Sequence, residues 1–300
     1  MFYLTEVSMG LLRVLSWNTA LSPSMYDRLS RKEHILRRFE KFSKKVDILA
    51  LQETGSFVVG RLAERIYHHY GNFLRNHPFV TMLFDYLAII EGLLFRKREV
   101  DNVKELVKCA RNNGFKYFLL SKKPKRYINS GLMILSKYPL SQGIEVISEG
   151  DVIHRPGNLI CEISAKGKKV WISNSYFVPS LKWTKISYII CNIINLFAFK
   201  KPKKLRREQL KTLHNFSHRG FMISAGDFNI NRGDKEYEET KKVLKMFDSE
   251  KGRNSTFKNI FIEKQIDYIF YSPKIKLIKF ERGEFNSESD HRPIIASFKL

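Results

Sequence analysis

The chain is poor in cysteine, in acidic side chains and in long apolar runs. Its three cysteines, Cys109, Cys161 and Cys191, are far apart and form no Cys-x-x-Cys. That spacing excludes a disulfide framework and a thiolate zinc site, and a reducing compartment is the expectation. No apolar stretch reaches the length of a bilayer-spanning helix. The first residues carry no basic leader and no small-residue cleavage site, so no secretory signal is read and an intracellular location is expected. No internal repeat and no low-complexity linker divides the 300 residues, and at 43% hydrophobic they can build one substantial core. One domain over 1–300 is expected, with two insertions near 72–110 and 181–208.

The acidic deficit is the strongest compositional feature. Fifty-three Lys and Arg stand against thirty Asp and Glu, a formal net charge of +23 and a pI of about 9.9. Such an excess calls for a polyanionic partner, and nucleic acid and an anionic membrane surface fit it equally well. A Lys-rich proteome that biases every chain upward is the plainer alternative.

Apolar periodicity outlines an α/β protein. Leu11 to Trp17 reads as a strand that delivers Asn18 at its tip. Arg31 to Lys45 has helical spacing, and Val46 to Leu51 is a buried strand ending at Gln52 and Glu53. The sequence from Gly60 to Ala110 reads as helical, with a very apolar tract from Phe79 to Phe95 followed by Arg96-Lys97-Arg98. Tyr127 to Leu140 reads as a strand opening with Asn129 and Gly131. A hairpin about Lys166-Gly167-Lys168 leads to Asn174-Ser175-Tyr176. A second apolar tract, Ile186 to Phe199, runs into the basic cluster Lys200 to Arg207. Glu236 to Phe247 suggests a helix. Gln265 to Ser272, Lys276 to Phe280 and Ile294 to Leu300 suggest strands.

The stretch Ser224 to Ile230 organises the rest. Gly226 permits a turn, and Asp227 and Asn229, two apart, share one side if the segment stays extended. A strand running into an Asx turn is the bland reading. The polar residues at strand ends are Asn18, Glu53, Asn129, Tyr176, Asp227, Asn229, Asp267, Asp290 and His291. Carboxylates and carboxamides dominate this set, which suits Mg²⁺ or Mn²⁺ better than zinc. His291 needs a carboxylate on its second ring nitrogen if it is to act on a substrate, and Asp267 is the candidate.

Taken in order, SWN at Ser16 to Asn18, LQE at Leu51 to Glu53, NSGLMILSKYP at Asn129 to Pro139, GDFN at Gly226 to Asn229, DYIF at Asp267 to Phe270 and SDHRP at Ser289 to Pro293 resemble the endonuclease/exonuclease/phosphatase superfamily, the DNase I-like fold. The resemblance spans nearly the whole chain and implies a four-layered α/β sandwich of two packed, mostly antiparallel sheets flanked by helices, with helical insertions. It implies metal-assisted hydrolysis of a phosphodiester. Glu53 would hold the metal with Asn18 and Asp290 close by. Asp227 and Asn229 would orient the attacking water, and His291 with Asp267 would act on the scissile phosphate. Asn129 and Asn174 would touch substrate. Many members carry Asn-Thr-His where this chain has Asn174-Ser175-Tyr176. Tyr176 resembles the AP-endonuclease branch, and its phenol can still donate a hydrogen bond to a phosphate oxygen.

Two substrates follow. The NSGLMILSKYP segment and the two apolar tracts with basic ends resemble neutral sphingomyelinases, which implies a phospholipid at an anionic membrane surface and a protein peripheral to it. Tyr176 and the charge of +23 favour a nuclease acting on DNA or RNA. The lipid is preferred, because a nuclease gains nothing evident from two apolar insertions. A catalytically weak binding module is the non-enzymatic alternative, and a monomer is expected.

Overall fold

The computed structural model describes residues 10–20, 28–54, 57–59, 70, 98–100, 103–122, 131–147, 157–178, 202–252, 254–258, 263–285 and 289–300, with the side chains of 28–32, 57–59, 98–100 and 202 outside the description. The apolar tracts Phe79 to Phe95 and Ile186 to Phe199, and Asn129, lie outside the described residues.

The chain begins with β1 (Leu11–Asn18), α1 (Arg28–Ser43) and β2 (Ile48–Gln52). A short ribbon of β3 (Phe57–Val59) and β4 (Arg98–Val100) follows, then α2 (Val103–Asn112), β5 (Tyr117–Leu120) and β6 (Met133–Ser136). Next come β7 (Leu140–Ile147), β8 (Gly157–Ala165), β9 (Lys168–Tyr176), α3 (Pro202–Ser217) and β10 (Phe221–Asp227). The last part holds α4 (Lys235–Leu244), β11 (Phe247–Asp248), β12 (Phe257–Lys258), β13 (Glu263–Lys264), β14 (Asp267–Tyr271), β15 (Lys276–Arg282) and β16 (Ile294–Lys299). Arg98 to Val100 departs from the helix expected between Gly60 and Ala110, because it closes the base of the first insertion by antiparallel pairing with Phe57 to Val59.

Two mixed six-stranded sheets result, ordered β15-β16-β1-β2-β6-β5 and β11-β14-β10-β9-β8-β7. Each has one parallel pair at its centre, β1 with β2 and β9 with β10, and antiparallel neighbours elsewhere. A parallel pair needs a long crossover, and α1 and α3 supply it. Because side chains alternate across a strand, both faces of the central strands must be covered. On β1, Leu12 and Val14 enter a core shared by the two sheets, with Ile134, Ile172, Ile223, Ile269 and Phe298. Leu15 and Trp17 face the other way, into a layer with Ile35 and Phe39 of α1 and Leu106 and Ala110 of α2. Leu213 and Phe216 of α3 and Tyr237 and Leu244 of α4 cover the outer face of the second sheet. The layers therefore run helix, sheet, sheet, helix, the DNase I-like sandwich.

Candidate active site

In open α/β sheets the crevice beyond the carboxyl ends of parallel strands is where polar groups converge. Here two such ends meet. Asn18 pairs in register with Gln52, and Asp227 with Tyr176. Across the sandwich β1 lies against β10 and β2 against β9. One edge of the molecule thus collects Asn18, Glu53, Tyr176 and Asp227 from four strands. Two backbone devices aim them. Glu53 turns off β2 at φ 53°, in the left-handed region that is costly for a non-glycine residue. Gly226 has φ 153°, and a Cβ there would lie 2.1 Å from the Ser175 carbonyl oxygen, so only glycine lets β10 approach β9 before Asp227.

The carboxamide of Asn18 holds the centre. Its Nδ2 donates to Glu53 Oε1 and to Asp227 Oδ2, both at 3.1 Å. Its Oδ1 accepts the Ala20 N–H at 3.0 Å, which fixes the amide plane. The Tyr176 hydroxyl donates to the same Glu53 Oε1 at 3.0 Å. Asp227 Oδ1 accepts the Asn229 N–H at 2.9 Å, and the Asn229 side chain donates to the Phe177 carbonyl at 2.9 Å. The strand ends at Asp227 and Asn229 has φ 51°, so the extended geometry expected between these two residues gives way to an Asx turn. Asn229 consequently orients the Asp227 carboxylate through its backbone.

His291 completes the cluster. Its Nδ1 lies 2.9 Å from Asp267 Oδ2, and its Nε2 faces Asp227 Oδ2 at 3.9 Å and Asp290 Oδ1 at 4.0 Å. The Phe257 ring packs edge-on against the imidazole, with centroids 4.9 Å apart. Burial disfavours the imidazolium, but the Asp267 charge and hydrogen bond, with Asp290 and Asp227, outweigh it and hold the pKa up at about 10. The histidine is therefore a cation at neutral pH. Asp227 moves well above the ordinary carboxylate range, through burial first and the Asp267 charge second, against the pull of His291, the Asn229 N–H and Asn18.

The donor set fits a hard divalent cation. Oxygen atoms dominate, and among the described residues no Lys or Arg pairs with Glu53, Asp227 or Asp267. Asp267 Oδ1 is buried without a hydrogen-bond partner. Ligand atoms of Asp227, Asp267 and His291 lie within 4.8 Å of one another. A cation among those three would have to displace the 2.9 Å pair between His291 and Asp267. The less buried oxygens of Glu53 and Asp290, with Asn18 between the carboxylates, suit an ion that keeps part of its water shell.

Of the residues expected at the site, Asn18, Glu53, Tyr176, Asp227, Asn229, Asp267, Asp290 and His291 come together. Asn174 does not face the cleft. It is fully buried, and its Nδ2 donates to the Leu51 and Met133 carbonyls at 2.7 and 2.9 Å while its Oδ1 accepts from Gln52 Nε2 at 2.6 Å. Every polar atom of its side chain is spent joining the two sheets, which corrects the expectation that it touches substrate. Arg206, expected within a lipid-facing basic cluster, is also buried and forms a bidentate pair with Glu236 at 2.7 and 2.9 Å.

Three residues without a site role in the sequence reading support the constellation. Ser289 Oγ donates to the Asn18 carbonyl at 2.8 Å and accepts the His291 N–H at 3.0 Å. Thr256 Oγ1 accepts the N–H groups of Ile266 and Asp267, both at 3.0 Å. Trp17 Nε1 donates to the His291 carbonyl at 3.2 Å. Ser289 opens the SDHRP motif at the spacing of a serine turn, a signal present in the sequence. Thr256 acts through the tertiary fold and no local pattern marks it, while Trp17 stands in the SWN motif but makes its contact only through the tertiary fold.

Known proteins bear on this constellation. The profile described as Endonuclease/Exonuclease/phosphatase family matches residues 15–291, from β1 to His291. Solved structures share the fold at low identity. SmcL is 14% identical with a TM-score of 0.61, over 97% of this chain and 99% of that one. A substituted beta toxin from Staphylococcus aureus with bound magnesium ions is 16% identical with a TM-score of 0.60, over 95% and 98%. TDP2 of D. rerio complexed with a single-strand DNA product is 13% identical with a TM-score of 0.57, over 97% and 99%. No curated protein sequence is close enough to count as a match.

Proposed function

Because the chain belongs to the endonuclease/exonuclease/phosphatase family, whose members are metal-dependent hydrolases of phosphodiesters and phosphate esters, we infer that its reaction is Mg²⁺-dependent phosphodiester hydrolysis, with a membrane phospholipid of the sphingomyelin class as substrate. The observation that carries the chemistry is the Asn18 carboxamide shared by Glu53 and Asp227 beside a buried His291–Asp267 pair. The lipid assignment is supported by the apolar tracts Phe79 to Phe95 and Ile186 to Phe199 with their basic ends.

The metal would be held by Glu53, with Asn18 and Asp290 beside it, and when bound it offsets the charge that grows on the phosphoryl oxygens. The protein groups do the rest. Burial makes the Asp227 carboxylate a better base than an exposed aspartate, so it accepts a proton from the attacking water as the new oxygen–phosphorus bond forms. Asn229 and Asn18 keep that carboxylate in one orientation. The His291 imidazolium, held by Asp267, presents its Nε2–H to a phosphoryl oxygen as an electrostatic stabiliser. As the bond to the leaving oxygen breaks, the proton taken from water is available to neutralise it. Tyr176 donates from the side of Glu53 and can pass that hydrogen bond to a phosphate oxygen.

A second reading, hydrolysis of nucleic acid, is favoured by Tyr176 and by the net charge of +23. One assay separates the two. Purified protein with Mg²⁺ is given anionic liposomes containing sphingomyelin and, separately, plasmid DNA, with Asp290→Ala as control. Turnover of liposomes that disappears in the control is the expected result. Turnover of DNA alone replaces the lipid reading by the nuclease, and silence on both removes the substrate assignment.

A further inference from the structure

A cavity of about 980 Å³ lies away from the catalytic edge, between α1 and the strands β15, β16 and β1. The topology produces it. Helices α1 and α2 cover the outer face over β1, β2 and β6, and α1 runs beside β16 and β15 without covering that end of the sheet. Register sets Arg13, Ser297 and Lys279 side by side on that face. The opposite wall is the flank of α1 and its end, with Arg37, Arg38, Lys41, Lys44 and Lys45. Eight Lys or Arg line the cavity against two carboxylates, Glu281 and Glu284, although Arg282 turns its guanidinium to Glu250 on the other face of β15; His34, Leu11, Phe42, Ile278 and Ile295 complete the lining.

Local pairing neutralises only part of this charge. Arg37 reaches Glu33 at 3.8 Å and Lys44 reaches Glu40 at 3.0 Å, both on the exposed helix surface. Lys279 pairs with Glu281 at 2.8 Å and Arg282 with Glu250 at 3.1 Å. Arg13, Lys41 and Lys45 have no carboxylate partner among the described residues. Cations near a helix C-terminus are favoured by its dipole, which accounts for Lys41, Lys44 and Lys45 taken alone. It does not account for Arg13 and Lys279, which the register of two strands, β1 and β15, brings to the same hollow on either side of Ser297. Like charges so gathered repel and cost stability unless an anion lies among them.

We propose that this cavity is a second site, separate from the catalytic one, that binds a compact ligand carrying several clustered phosphates. A flat bilayer cannot enter a hollow flanked by a helix and a sheet edge, whereas a small polyphosphorylated group can be surrounded by cations from both walls. The volume is that of a small-molecule pocket. Guanidinium groups from Arg13 and Arg37 suit phosphate oxygens by forked hydrogen bonding, and the lysines add point charge. The shared chemistry is the clustered phosphate, borne by a free molecule or by a lipid headgroup raised from its membrane.

The test is calorimetric binding of inorganic tripolyphosphate to the full chain at about 0.15 M salt, where loose surface attraction is screened. The comparison is the variant Arg37→Glu/Lys41→Glu/Lys45→Glu, whose side chains are exposed and take no part in hydrolysis. Saturable binding that weakens about tenfold or more in the variant is expected, as several charge-assisted contacts would be lost together. Unchanged melting temperature without ligand, and unchanged hydrolysis of a small activated phosphodiester, would show that the variant is folded. Equal binding in both proteins, or binding of sulfate as tight as tripolyphosphate, overturns the proposal. So does a single-stranded oligonucleotide that binds tighter than tripolyphosphate and depends on the same three residues, because the groove would then follow a polymer. Vesicles with a multiply phosphorylated inositol headgroup that bind in competition with tripolyphosphate identify the lipid-borne source, and competition by soluble inositol phosphate alone identifies the free one.

Discussion

The two parallel pairs at the centres of the sheets are built alike and used differently. Each ends in a polar residue, Asn18 on β1 and Asp227 on β10, and each has a crossover helix on its outer face. The residues just before differ sharply. The first pair has Trp17, whose ring packs outward and whose Nε1 holds the His291 carbonyl. The second has Gly226, where no side chain fits against Ser175. Glu53, on the first pair, is half-buried and shared by Asn18 and Tyr176. Asp227, on the second, is buried and shifted toward its protonated form. One pair is suited to holding a cation at the solvent side and the other to handling a proton inside.

The sharpest test of that division is the pair Glu53→Gln and Asp227→Asn. Each should lower kcat on the order of a thousandfold. Glu53→Gln should also raise the Mg²⁺ concentration needed for half-maximal activity, while Asp227→Asn should leave it nearly unchanged. Equal effects on the metal requirement would erase the distinction. Gly226→Ala comes next, because its Cβ would strike the Ser175 backbone. A stability loss of about 3 kcal/mol or more in urea unfolding is expected. Asn174→Leu removes the link between the sheets and strands the carbonyls of Leu51 and Met133. It should cost roughly 2–3 kcal/mol in the same measurement while leaving KM as it was. An altered KM would return Asn174 to the substrate.

The smallest expected effect is the pH dependence of the metal-free protein. His291 has a raised pKa in the fold, so its contribution to stability is fully present below its ordinary value of 6.5 and is lost as pH rises through about 10. Asp227 is raised too, so the fold also retains that proton more readily than the unfolded chain, with the same sign. Unfolding midpoints should fall steadily from about pH 6 to about pH 9, and His291→Gln should flatten the slope.

The sequence made much of this legible, for identifiable reasons. Asn18, Glu53, Asp227, Asp267, Asp290 and His291 each sit at a strand end or in a turn beside one, where hydrophobic alternation stops and polar residues stand out. Asn174 carries the same signal but a different fate, since alternation cannot tell a side chain entering the seam between sheets from one entering the cleft. Asn229 meets Asp227 through the Asx turn and not along an extended strand, because φ 51° follows from the turn and not from strand periodicity. The roles of Thr256 and Trp17 are not legible locally, because their hydrogen bonds span residues distant in sequence or depend on how the SDHRP turn closes onto β1. The basic cavity leaves no local sequence signal for a similar reason: Arg13, Lys41 and Lys279 meet only after β1, α1 and β15 have been assembled.

The Asn18 carboxamide bridges a carboxylate from each sheet, and that has a kinetic meaning. Neither sheet alone possesses the constellation, so a folding intermediate with one sheet formed is silent. During refolding, recovery of turnover must trail the docking of the two sheets, even where helical or strand signals have already returned. The enzyme's own catalysis is thereby a clock for the last packing event, readable without any attached probe.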